Sequence, residues 1–159
     1  MNKKHIENIL KQAKRCFLEN DHYLFTVEAN ERSLTHKFAE YLQNIFGYEW
    51  SVDCEYNRFG QDGKKIVEII EQMVGKDTIT SETKTRTVYP DIIVHKRGLE
   101  GPNLIVIEAK KDATVKEKSG DVKKLKIIKE KYNYKFAIFV NFKIKTKKII
   151  WFFCYDKRC

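Results

Sequence analysis

The chain reads as an α/β domain with a central mixed sheet of about five strands flanked by helices, in the order α-α-β-α-β-β-α-β-β. Three observations lead there. Apolar residues recur at helical spacing in two N-terminal segments, Ile6, Ile9, Leu10, Ala13 and Phe17, then Leu34, Phe38, Leu42 and Ile45. Short β-branched runs follow, around residues 88–94 and 104–109, with turn residues between them. Finally, the helical stripe Val122, Leu125, Ile128 and Tyr132 lies between two β-prone runs, 104–109 and 136–142. That order makes a βαβ unit whose two strands run parallel through a right-handed crossover.

Each element has its own signals. The first helix is expected over about 3–19 and is stopped by Asn20-Asp21. The second runs from Glu31 to Phe46, with Asn30 as its N-cap and Gly47 as its stop. In the next segment, 48–57, Val52, Cys54 and Tyr56 alternate with Asp53, Glu55 and Asn57, as in a half-buried strand. Residues 58–63 read as a loop and 64–74 as a short helix carrying Ile66, Val67, Ile69, Ile70 and Met73. Ser119 can cap the helix that ends near Lys131, and strands are expected at 136–142 and 149–155, joined through the Lys-rich turn 143–148. With 159 residues, 42% of them hydrophobic, a single globular domain over 1–159 is expected. Within it, 1–20 forms an additional N-terminal helix and 60–84 an inserted helix and loop.

The chemistry concentrates on the two β-branched runs, because they carry charges. With a loop over 97–102, hairpin partners have numbers totalling 199, so Asp91 stands opposite Glu108 on one face and Lys110 joins them at the period of two. Ile92, Val94, Ile105, Ile107 and Ala109 make the other face apolar, while Ile93, Val106 and Leu104 make the charged face apolar except at its end. Strands of this kind are buried on both sides. Two carboxylates facing each other repel, and a divalent metal removes that cost. Without a metal, the pattern is that of a strand with a partly buried Asp91–Lys110 ion pair.

Pro90-Asp91 followed by Glu108-Ala109-Lys110 resembles the PD-(D/E)xK nuclease superfamily, and the element order over 31–155 resembles the restriction-endonuclease-like core. The resemblance implies a magnesium ion, with manganese as a substitute, held by Asp91, Glu108 and the Ala109 carbonyl. It also implies that Lys110 orients or activates the attacking water. Glu31 occupies the position of a helix acid near the metal, though as a first-turn acid it also suits the helix dipole. His36 near the phosphate, and Glu55 on the neighbouring strand as a further ligand, are weaker candidates. The implied activity is hydrolysis of phosphodiester bonds in nucleic acid, with DNA the expected substrate, by magnesium-activated water. The alternative is a catalytically silent nucleic-acid-binding or regulatory module on the same fold.

Charge supplies an independent reason to expect nucleic acid. Residues 110–159 hold 16 Lys and Arg against 5 Asp and Glu, a net of +11, whereas 1–109 hold 15 against 17, a net of −2. The basic run starts at Lys110, and Lys111, Lys116, Lys118, Lys123 and Lys124 are the candidate phosphate contacts. The same lysines also suit a purely solvating surface. No stretch is long and apolar enough for a membrane span, and no secretory signal precedes the first helix, so a cytoplasmic location is expected. Cys16, Cys54, Cys154 and Cys159 lack zinc-type spacing and are expected to be reduced thiols. A homodimer pairing two sites is compatible with the implied activity, but no sequence feature marks an interface.

Overall fold

Buried apolar runs fix the layers of the fold. The computed structural model describes residues 1–56, 89–98 and 101–154, together with the backbone of 58–59, 63–64, 66–74 and 79–87. The N-terminal helices are α1 (Lys3–Asn20), the single turn α2 (Tyr23–Thr26) and α3 (Glu31–Phe46). The five-stranded sheet is built from β1 (Ser51–Cys54), β6 (Ile92–His95), β7 (Asn103–Lys111), β8 (Tyr134–Lys143) and β9 (Lys148–Phe153), in the order β1-β6-β7-β8-β9. Helix α4 (Val115–Lys131) connects β7 to β8, which pair in parallel, and the other neighbours in the sheet are antiparallel. Among the described residues no helix is long and apolar enough to cross a membrane.

Local chemistry sets the helix ends. Asn2 and Asn30 cap α1 and α3 by accepting from the backbone N–H groups of His5 and Ser33, at 2.9 and 2.8 Å. Gly47, at φ +63°, ends α3 in a backbone conformation that suits glycine. One turn before that end, Gln43 donates to the carbonyls of Gly47 and Trp50 and accepts from the Val52 N–H at 2.8 Å. This side chain therefore fastens α3 to β1, and with it the helix N-terminus to the sheet.

The expected hairpin register is present. Ile92, Ile93 and Val94 pair with Ile107, Val106 and Ile105, each pair totalling 199. A bulge between Val94 and His95 then shifts the ladder so that His95 faces Asn103. This bulge corrects one expectation: Leu104 packs with Ile105 on the α1/α3 side instead of with Val106. The two sheet faces carry separate cores. Ile92, Val94, Ile107, Ile138 and Val140 face α1 and α3, and Ile93, Val106 and Phe139 pack against Val122, Leu125 and Ile128 of α4.

Three further expectations are corrected. Residues 64–74 are not helical: β4 (Ile66–Val74) pairs antiparallel with β5 (Ile79–Thr87) as a separate two-stranded sheet, and β2 (Arg58–Phe59) pairs with β3 (Gly63–Lys64). The apolar residues of 66–74 are largely β-branched, and the Thr-rich run 79–87 supplies a partner strand, so β-pairing prevails over the helical periodicity. Next, α4 starts one turn before the expected cap. Thr114 is its N-cap, in a reciprocal capping box with Glu117, and Ser119 lies inside the helix. The single turn α2 is also unforeseen, because four residues are too few to show periodicity. The expectations touching Asn57, Gln61, Asp62, Val88, Leu99, Glu100, Tyr155 and Cys159 lie outside the described residues.

Candidate active site

The β6–β7 hairpin, the N-terminus of α3 and one face of α4 meet at the end of β7. Asp91 stands just before β6, and its Oδ2 accepts from the Ala109 N–H at 2.8 Å. This bond fixes its carboxylate beside β7, beyond the last ladder pair at Ile107. Glu108 lies on the central strand of the sheet and is 2% exposed. Glu31, in the first turn of α3, accepts from Lys110 Nζ at 3.0 Å through Oε1 and from the Lys111 N–H at 2.9 Å through Oε2. From α4, Lys124 Nζ approaches Glu108 Oε1 at 2.8 Å and donates to Oε2 at 2.9 Å.

Asp91, Glu108, Lys110 and Glu31 are thus together, from segments up to 79 residues apart in the chain. Of the remaining candidates, Lys124 pairs with Glu108, Glu55 and His36 lie beside the cluster, and the other lysine side chains lie away from it. Glu55 is exposed and paired with Arg32 at 3.0 Å; together with the exposed His36 it lines an open cleft of about 570 Å³ beside Asp91 and Glu31. Lys111 donates to the Glu28 carbonyl at 2.6 Å, and Lys116, Lys118 and Lys123 are exposed along α4.

One acidic member was not anticipated. Asp121, one turn before Lys124 on α4, has a buried Oδ2 with no hydrogen-bond partner, and its carboxyl interacts electrostatically with Lys110, Lys124 and Glu31. The signal was the spacing of three, which puts Asp121 and Lys124 on one helix face.

Burial and mutual repulsion shape the protonation of the site. Burial, followed by the Asp91 charge, pushes the Glu108 carboxyl up to about 8 against the opposing pull of Lys124. Asp91 is raised as well, by burial first, although the Ala109 N–H and the two ammonium groups oppose the shift. Asp121 is raised mainly by burial. Burial works against the charge on Lys110, but the Glu31 carboxylate outweighs it, and the net shift is upward. The carboxylates of Glu31, Asp91, Glu108 and Asp121 face the ammonium groups of Lys110 and Lys124, so full ionisation leaves a formal excess of two negative charges.

This donor set suits a hard divalent cation. Glu108 Oε1 is buried and, though it faces the Lys124 ammonium at 2.8 Å, has no hydrogen bond, and magnesium takes one or two carboxylates while keeping several waters. Among the described residues no three His, Cys, Asp or Glu side chains are gathered to hold a metal by themselves, so a cation here would rest on Asp91 and Glu108. Comparison of the chain with protein-family models, with curated proteins and with solved structures finds no match.

Proposed function

We propose that the protein is a magnesium-dependent nuclease of the PD-(D/E)xK type that hydrolyses phosphodiester bonds in nucleic acid, with DNA the expected substrate. The observation that carries this reading is the gathering of four carboxylates, Glu31, Asp91, Glu108 and Asp121, against the two ammonium groups of Lys110 and Lys124 at the end of β7. Asp91 and Glu108 would hold the metal with the Ala109 carbonyl. Bound there, it would act as a Lewis acid on a phosphate oxygen and lower the pKa of a coordinated water.

The protein's own groups then have defined tasks. The Ala109 N–H holds Asp91 Oδ2 in place. Glu31 fixes Lys110 Nζ through one oxygen and the β7 backbone through the other, so the ammonium is oriented at the strand's end. The remaining N–H groups of Lys110 can donate to an attacking water and to a phosphate oxygen. The cleft beside Asp91 and Glu31 offers the scissile phosphate an open approach.

The test is digestion of single-stranded, double-stranded, linear and circular DNA and RNA with and without Mg²⁺. Asp91→Ala and Glu108→Ala should each lower cleavage by roughly 10²-fold or more, as expected when an electrostatic catalytic group is lost. Lys110→Ala should lose activity while retaining metal. Undiminished cleavage in either carboxylate variant would sink the mechanism. A second reading, a catalytically silent nucleic-acid-binding or regulatory module, is favoured by one observation: Lys124 and Lys110 already occupy Glu108 and Glu31. Calorimetry separates the two, since the silent module need not bind Mg²⁺ at all.

A further inference from the structure

A groove runs between α4 and β9, on the other side of α4's N-terminal turns from Glu108. It has two adjoining parts, of about 230 and 570 Å³, which share Val115, Lys118 and Phe152. The first part begins at Asn141, the β8 residue paired with Lys110 in the parallel ladder. The groove therefore leads away from the candidate active site instead of standing apart from it.

Its lining combines two chemistries. Lys118, Lys123, Lys126 and Lys143 line it, no Asp or Glu among the described residues does, and none of these four lysines is in an ion pair with a described residue. Apolar groups are also presented to solvent: Val115 is 87% exposed and Ile150 47%. Phe152 stacks one face on Phe139, with centroids 5.2 Å apart, and carries the Lys118 ammonium 4.3 Å from its ring centroid. An exposed cation–π contact is weak, so Lys118 can leave the ring for a phosphate and open a stacking surface.

We infer that this groove binds single-stranded nucleic acid, its lysines contacting phosphates and Phe152, Val115 and Ile150 receiving base faces. Duplex offers the lysines its phosphates but keeps its base faces stacked inside, so the apolar half of the lining is used only by an unpaired strand. The inference rests on the nuclease reading for its biological sense, as a track for a strand entering or leaving the site. Its binding chemistry does not depend on turnover.

The experiment uses the full chain in EDTA, with a fluorescein-labelled oligo-dT of about 12 nucleotides and a duplex of equal length, read by anisotropy. Single-strand binding should be tighter than duplex binding, and Val115→Glu and Ile150→Glu should each weaken it about tenfold, with circular dichroism unchanged. The double variant Lys118→Ala, Lys123→Ala should reduce the slope of log affinity against log salt by about 1.4. Wild-type affinity in both Glu variants, equal or tighter duplex binding, no single-strand binding, or a loss explained by a broken dimer in sedimentation would each overturn the inference. If the nuclease reading alone is wrong, cleavage is absent with every metal and substrate while the variant-sensitive binding persists. If the groove alone is wrong, Mg²⁺-dependent cleavage persists without that binding pattern.

Discussion

Replacing Glu108 with glutamine should change how the stability of the protein depends on pH. In the folded chain the carboxyl is raised to about 8 from an ordinary value of 4.5, chiefly by burial and the Asp91 charge. The folded state therefore binds the proton more tightly than the unfolded state does. Stability from this group is fully present below about pH 4.5, declines as pH rises, and is lost once pH passes about 8. Each pH unit across that window weakens the wild type by about 1.4 kcal/mol, a total near 5 kcal/mol. This is a large share of the ~5–15 kcal/mol that holds a typical domain folded. The amide introduced by Glu108→Gln has no such proton to lose, so urea denaturation of variant and wild type between pH 4.5 and 9 should give curves that diverge over the window and run parallel above it. The carboxyl-to-amide exchange adds an offset that is constant with pH. Parallel curves throughout would refute the raised Glu108, and would mean that Lys124 compensates its charge completely.

The other predictions use the same structure at different points. Lys124→Met removes the partner of a buried carboxylate and should cost about 3 kcal/mol at pH 9 but much less at pH 5, where Glu108 is neutral; denaturation at the two pH values checks this. Thr114→Ala deletes one half of the capping box and should lower stability by about 1 kcal/mol, with the first turn of α4 losing amide protection in hydrogen exchange. Gln43→Ala leaves the Val52 N–H and the Trp50 carbonyl without their partner and should cost about 1–3 kcal/mol in thermal unfolding, with β1 the first strand to exchange.

Much of this molecule is legible in its sequence, and the exceptions share a physical cause. Asn30, Gly47 and the stripe of α3 define that helix to the residue because caps and periodicity are local. The register of Ile92–Val94 against Ile105–Ile107 totals 199 as the loop length implies, although the bulge shifts the pair beside the loop and the ladder stops short of Asp91 and Glu108. The β4–β5 pair was misread because Ile66, Val67, Ile69 and Ile70 satisfy helical spacing and β-propensity alike, and only the partner strand decides between them. Asp121 and the Lys124–Glu108 contact depend on how α4 lies across the sheet, a tertiary fact with no local signal beyond a spacing of three. The Gln43 fastening and the partly buried pair of His95 with Asp53, at 2.9 Å, belong to the same class: polar residues whose partners lie on another element.

The position of Glu108 also constrains how the site can move. Strand β7 is paired with β8 along its length and with β6 as far as Ile107, and its residues through Ala109 are buried, a setting in which amides exchange slowly. Opening of the strand is therefore a slow route for a cation or a phosphate. The parts that can rearrange are the long side chains of Lys110 and Lys124, each about a quarter exposed and held by one ion pair, and side-chain rotamer changes are fast compared with opening of a strand. The site is a rigid bed with two fast arms. Binding to it should show no slow conformational phase, and stopped-flow association should remain single-exponential and linear in ligand concentration.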